Sequence, residues 1–154
     1  MSYSIRPASL EEVGYLSDLA LRSKGYWGYD EAFLDACRGE LTVHAHALKV
    51  KPTWVLQENS RIWGFYVLAS KTETIAELDL LYVDPEAMGR GYGRALMGHA
   101  LAQARKAGNK TMGIVADPHA VGFYRAMGAV EIGSEPSGSI PGRMLPLMEL
   151  SLVH

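Results

Sequence analysis

The run Asp84-Pro85-Glu86-Ala87-Met88-Gly89-Arg90-Gly91-Tyr92-Gly93-Arg94 sets three glycines at alternate positions beside two arginines. Glycines so spaced let the backbone turn tightly and present bare N–H groups. Where such a turn enters a helix, the amides and the helix dipole together suit phosphate oxygens. Two familiar phosphate motifs are absent. The dinucleotide fingerprint G-x-G-x-x-G fails, because counting from Gly89 puts Arg94 at the last glycine and counting from Gly91 puts Leu96 there. A P-loop fails because Gly108-Asn109-Lys110-Thr111 breaks the glycine–lysine adjacency. Charge agrees with a small polyanionic ligand. Between Met88 and Arg125 six basic residues face Asp117 alone, a net +5, so the remainder of a chain of net charge −2 carries −7.

Other residues could carry chemistry. Glu77 and Asp79 lie in an otherwise apolar strand, where an unpaired charge is costly and calls for either an acid–base role or an ionic partner. Strict alternation would put both on one face. Tyr124 falls with Val121 and Met127 on an inward helical face, which fits a core tyrosine equally well. Tyr26, Trp27 and Tyr29 are three aromatics within four residues, either a wall for a cationic ligand or an apolar plug that seats the loop. Arg143, in a Gly-Pro loop, could grip a carboxylate or pair with a surface acid. Cys37 lies on an apolar helical stripe and reads as core. His44 and His46, two apart, point to opposite faces if helical, so no metal site is expected.

The elements that position these residues can be read from periodicity. Ser4–Arg6 reads as a short strand closed by Pro7. Ser9, with Glu12 in capping-box spacing, starts a helix whose apolar face runs through Val13, Leu16, Leu19 and Ala20. Arg22 to Asp30 reads as a loop. A second helix from about Asp30 turns Phe33, Leu34, Cys37 and Leu41 inward. Thr53–Gln57, Ile62–Ala69 and Thr74–Val83 read as an antiparallel meander with short polar turns. A helix from Gly91 to Ala107 stops at Gly108, and Thr111–Ala116 is the next strand. Asp117-Pro118 opens a short helix that ends at Gly128, and Ala129–Gly133 and Leu145–Leu152 close the sheet. The order is β-α-α-β-β-β-α-β-α-β-β, an α/β chain with a mixed, mostly antiparallel central sheet, flanking helices and one parallel crossover.

Composition bounds the rest. The 154 residues, 48% hydrophobic and 21% charged, suit one globular domain spanning 1–154. A net charge of −2 gives no bulk positive field for nucleic acid, and a single cysteine excludes a disulfide framework. The longest apolar stretch, Ile62 to Ala69, is too short to cross a bilayer, and the first residues lack the regions of a signal peptide, so a cytoplasmic location is expected. Eleven of the 16 glycines fall between Gly89 and Gly142, which places the surplus where the phosphate-type loop is.

Two segments together resemble the GNAT superfamily of N-acetyltransferases, which move an acetyl group from acetyl-coenzyme A. Glu77-Leu78-Asp79-Leu80-Leu81-Tyr82-Val83-Asp84-Pro85 leads into Gly89-Arg90-Gly91-Tyr92-Gly93, similar to the family's Arg/Gln-x-x-Gly-x-Gly/Ala loop, with Met88 at the Arg/Gln position. Asp117-Pro118-His119-Ala120-Val121-Gly122-Phe123-Tyr124-Arg125-Ala126-Met127-Gly128 resembles the family's Asn-x-x-Ala-x-x-Phe-Tyr-x-x-x-Gly segment, with Asp117 in place of Asn. The resemblance implies coenzyme binding by Leu81, Tyr82, Val83, Gly89, Arg90, Gly91, Tyr92, Gly93, Arg94, Asp117 and Tyr124. It implies Tyr124 as the acid that protonates the departing thiolate. For the base it offers Glu77, Asp79 or a water. It implies an acceptor cleft shaped by Tyr26, Trp27, Tyr29, Asp79 and Arg143, a primary-amine acceptor, acetyl-coenzyme A as co-substrate, no metal, and the homodimer that many relatives form. A module that binds coenzyme A with little catalysis is the alternative, kept open by Met88 and Asp117.

Overall fold

The computed structural model describes residues 2–153; Met1 and His154 lie outside the described residues. Strand β1 (Ser4–Pro7) leads to the expected cap, where Glu12 accepts the Ser9 N–H at 2.9 Å and is itself gripped by Arg6 at 2.7 Å. A 3-10 turn over Leu10–Glu12 then runs into α1 (Val13–Gly25). Here the structure corrects the loop expected from Arg22, since Arg22 to Gly25 are helical. Leu16, Leu19 and Ala20 continue at helical spacing onto Ser23 and Lys24, both buried. The polarity of those last two hides the continuing stripe from an apolar count.

Asp30 caps α2 (Glu31–Leu41) by accepting the Phe33 N–H at 2.8 Å, with Cys37 and Leu41 buried. The placement of His44 and His46 on opposite helix faces is also corrected. His44 is extended, the next residues form a 3-10 turn, and the two rings stack at 5.4 Å. Among the described residues no group of three or more His, Cys, Asp and Glu is arranged to hold a metal ion.

The remaining elements are β2 (Thr53–Glu58), β3 (Arg61–Ser70), β4 (Ile75–Val83), α3 (Tyr92–Lys106), β5 (Thr111–Val115), α4 (Val121–Ala126), β6 (Val130–Pro136) and β7 (Met144–Ser151). The seven strands form one sheet in the order β1-β2-β3-β4-β5-β7-β6, antiparallel except between β4 and β5. Alternation along β3 divides the core. Tyr66 and Leu68 join Leu96, Met97 and Met112 on the side of α3 and α4, while Phe65 and Val67 join Leu16, Leu19 and Cys37 under α1 and α2. No helix among the described residues is long and apolar enough to cross a membrane.

Two irregularities shape the middle of the sheet. Strands β4 and β5 pair only from Ile75↔Thr111 to Glu77↔Gly113, so beyond Glu77 the backbone of β4 has no strand partner on that side. Opposite Val67 and Leu68 the register of β4 skips Asp79, a β-bulge. Before it Ala76 and Leu78 face α3; after it Leu81 and Val83 do, and Leu80 and Tyr82 turn toward α1 and α2.

Candidate active site

The glycine loop takes the conformation its spacing predicts. Gly89 and Gly91 have φ of +86° and +82°, a left-handed backbone that costs other residues roughly 1–2 kcal/mol, and Gly91 is the N-cap of α3. The buried Asp84 anchors the approach, accepting from the Glu86 N–H at 3.0 Å and from Arg22 at 2.9 Å. Between this loop and the free edge of β4 lies a cleft of about 410 Å³. Leu81, Val83, Gly89, Gly91, Gly93 and Arg94 line it, together with Met88 and Phe123. Tyr92 lines it too, although its ring is buried in the core and its hydroxyl donates to Glu58. Arg90 does not line the cleft; its guanidinium lies over Trp63, 5.2 Å from the ring centroid. For the coenzyme A that the sequence leads one to expect here, Gly91→Val should weaken binding about tenfold or more by calorimetry, because a β-branched residue resists positive φ where the loop would present its amides. Unchanged affinity would show that the loop does not hold the ligand.

A second cavity, about 520 Å³, opens on the α1 and α2 side. Its polar lining includes Glu40, His44, Lys51, Asp79 and Glu135. Asp79 is paired with Lys51 at 2.8 Å, whereas Glu40 and Glu135 line the cavity as well. Gly138, without a side chain, leaves room for Glu40 to approach the β6–β7 loop; a Cβ there would collide with the Glu40 carboxylate. The two cavities share three lining residues, Lys24, Tyr82 and Asp117.

Asp117 is the hub of that shared wall. Lys24 Nζ donates to it at 2.8 Å, the Tyr29 hydroxyl at 2.9 Å and the His119 backbone N–H at 2.8 Å. Arg143 donates to the Tyr29 hydroxyl at 2.9 Å and lies 3.8 Å from the same carboxylate. Burial alone would raise the Asp117 pKa; Lys24, the His119 N–H and Tyr29 outweigh it and hold the carboxyl at about 2. Three residues singled out from sequence for separate reasons, Asp117, Tyr29 and Arg143, thus form one cluster. Lys24 was missed. The available signal was helical, since Leu16, Ala20 and Lys24 follow at i, i+4 and i+8 on one face of α1.

Tyr124 is buried in the α3 and α4 core, and its hydroxyl has no partner among the described residues. Tyr124 itself lines neither cavity, though its neighbour Phe123 lines the glycine-loop cleft. Burial pushes its pKa up, with Asp117 adding to the effect. Burial also raises Tyr82, with Tyr124 and Asp117 next among the causes, so the two phenols and the carboxylate are neighbours. Glu77 lines neither cavity; it occupies the last paired position before the strands part. Asp79 is the bulged residue and lines the second cavity. Glu77, between Ala76 and Leu78 of the α3 side, faces the same α1 and α2 side, and Lys51, the partner of Asp79, is also acted on by Glu77, so the two acids share a face as alternation predicts. The aromatic run divides. Trp27 lines the glycine-loop cleft, stacked on His119 at 5.0 Å, Tyr26 is exposed and edge-on to Trp27, and Tyr29 bonds to Asp117.

A parallel strand pair that parts beside a glycine-capped helix is a fold-level feature, and comparison with known proteins decides its family. The sequence model of the acetyltransferase (GNAT) family matches residues 13–129. The chain belongs to the GNAT family. It is 31% identical over 103 residues to the peptidyl-lysine N-acetyltransferase YjaB of Escherichia coli (strain K12), covering 66% of this chain and 65% of that protein. The chain therefore matches a little under two thirds of that relative's length. The fold is also that of the PaiA N-acetyltransferase from Thermoplasma acidophilum, solved in complex with coenzyme A, at a TM-score of 0.79 with 20% identity, over 98% of this chain and 99% of that one. YncA from Salmonella typhimurium, solved with acetyl-CoA, superposes at a TM-score of 0.72 with 19% identity, over 100% of this chain and 96% of that one.

Proposed function

We propose that this GNAT protein transfers the acetyl group of acetyl-coenzyme A directly to a primary amine of a small molecule, an amino acid or a peptide. The observation that carries the reading is the meeting of two cavities at one wall, a glycine-loop cleft on one side and a carboxylate-lined cavity on the other. The coenzyme's phosphates lie on the amides of Gly89 to Gly93 and the N-terminus of α3, with Arg94, which lines the cleft, adding positive charge. Its pantetheine arm extends along Leu81, Tyr82 and Val83, bonding to the unpaired β4 edge as an added strand would. An amide of that edge donates to the oxyanion of the tetrahedral intermediate.

The acceptor amine enters the second cavity, where Glu40, Asp79 and Glu135 suit a cation. Attack needs the neutral amine, so a base must take a proton. Glu77 performs this through water, since it lines neither cavity itself, and Asp79 is the competing carboxylate. Tyr124, kept protonated by its burial, returns a proton to the sulfur. Cys37 is buried in the α1 and α2 core and borders the acceptor cavity but not the coenzyme cleft, which suits direct transfer without an acetyl-enzyme.

The test is a panel of amines, amino acids and lysine peptides with thiol release as the readout. At least one acceptor class is expected to turn over, and Glu77→Gln to lower kcat/KM about 100-fold while Asp79→Asn changes mainly KM. Tight coenzyme A binding with no turnover on any amine would instead establish a coenzyme-binding module.

A further inference from the structure

Acetyl transfer between ligands held in the two cavities must take place across the wall the cavities share, and two of its three side chains are charged. Lys24 and Asp117 are only 10% and 13% exposed in their side chains, and bond at 2.8 Å. Desolvating such a pair offsets much of its attraction, so its presence is not explained by stability alone. Nor is the charge there balanced. Arg143 brings a second cation, its guanidinium, within 3.8 Å of the same carboxylate, leaving two cations against one anion. The other groups that face the wall do not cancel this excess. Tyr29, Tyr82 and Tyr124 are phenols raised by burial and stay neutral. His119 Nδ1 lies 2.9 Å from Asp117, and Glu40, which lines only the second cavity, pairs with neither cation.

We propose that Lys24 is a further catalytic residue, its ammonium held by Asp117 against the thioester sulfur, where it stabilises the thiolate as the carbon–sulfur bond breaks. This rests on the acetyl-coenzyme A-dependent transfer proposed above. The acceptor nitrogen forms the new bond to the acetyl carbon, and the carbon–sulfur electron pair leaves on sulfur. The proton lost by nitrogen to the base is matched by the one Tyr124 gives to sulfur. Lys24 keeps its own proton throughout. The free amides of β4 already suit the carbonyl oxygen, which leaves sulfur as the atom lacking a positive partner.

The thiol of bound coenzyme A reports this charge without any turnover. Its ionisation is followed by thiolate absorbance, taken as a difference against an analogue that lacks the sulfur. In the wild-type protein the bound thiol should ionise about one pH unit lower than in free coenzyme A, a tenfold gain in thiolate. Lys24→Met should return it close to the free value, and Lys24→Arg, which keeps the charge, should retain most of the shift. With the best acceptor, Lys24→Met should lower kcat roughly 10- to 100-fold and leave the KM for acetyl-coenzyme A within about threefold. Should Lys24→Met not fold, Asp117→Asn serves in its place, because removing the carboxylate should deepen the shift. A thiol that is unshifted in the wild type, a shift that survives Lys24→Met, or one relieved by Asp117→Asn overturns the role of Lys24 alone. Failure of coenzyme A to bind overturns this role and the proposed function together.

Discussion

Asp117→Ala is expected to destabilise the protein by about 3–5 kcal/mol, the usual result of removing one partner from a buried ionic cluster. The loss strands Lys24, whose side chain is 10% exposed, and removes the acceptor of the Tyr29 hydroxyl and of the His119 N–H. It also unties α1 from the turn before α4 and from the β6–β7 loop that carries Arg143. For a domain of this size the midpoint of thermal unfolding should fall by roughly 10 °C. The acid limb carries a second signature. The folded carboxyl is held at about 2 against an ordinary value of 3.8, so its contribution, of order 2 kcal/mol, is complete above about 3.8 and disappears as pH falls through about 2. The wild type should therefore lose stability over that window, and the alanine variant should lose less of it. Glu12, held at about 2 chiefly by its bond to Arg6, titrates in both proteins and cancels in the comparison. Scanning calorimetry from neutral pH to pH 2 measures both effects. A loss below about 1 kcal/mol, with parallel acid limbs, would mean that Arg143 and Lys24 find other partners.

Tyr124→Phe should separate chemistry from structure. The hydroxyl has no partner among the described residues, so its removal costs the fold little, and the melting midpoint should move by no more than about 2 °C. If Tyr124 is the acid, kcat should fall about 100-fold or more, with the affinity for coenzyme A within about twofold. The loss should be smaller with a thioester whose thiol leaves more readily, since such a sulfur needs less help from a proton. Full activity in the phenylalanine variant would return Tyr124 to the core role that its inward position allows equally.

Much of the fold was legible because local signals agreed. The capping box at Ser9, the switch from period 2 to helical spacing after Val83 and the glycines at 91 and 108 each reflect short-range backbone preferences. The element order follows from these. What was not legible arises where a local pattern has two meanings. The stripe of α1 continues through Ser23 and Lys24, polar residues that a hydrophobic count treats as loop. The bulge at Asp79 needs its partner strand to be seen, because only the pairing of β3 with β4 shows that one residue is skipped.

For the site, residue types and spacing by themselves determined the tight glycine turn from Gly89 into α3, since positive φ is a backbone conformation that glycine takes without strain. They also singled out Tyr29 and Arg143, and the family resemblance singled out Tyr124 and Asp117, without joining the two pairs. Tertiary structure alone decided that Asp117 collects Lys24 and Tyr29 from the end of α1 and the turn after it and Arg143 from the β6–β7 loop, and that one wall serves two cavities. It also decided that the free edge of β4 begins just past Glu77. The physical reason is range. Caps, turns and periodicity act over a few residues, whereas strand partings, ion pairs and side-chain hydrogen bonds join segments far apart in the chain, the Arg143–Tyr29 bond across 114 residues.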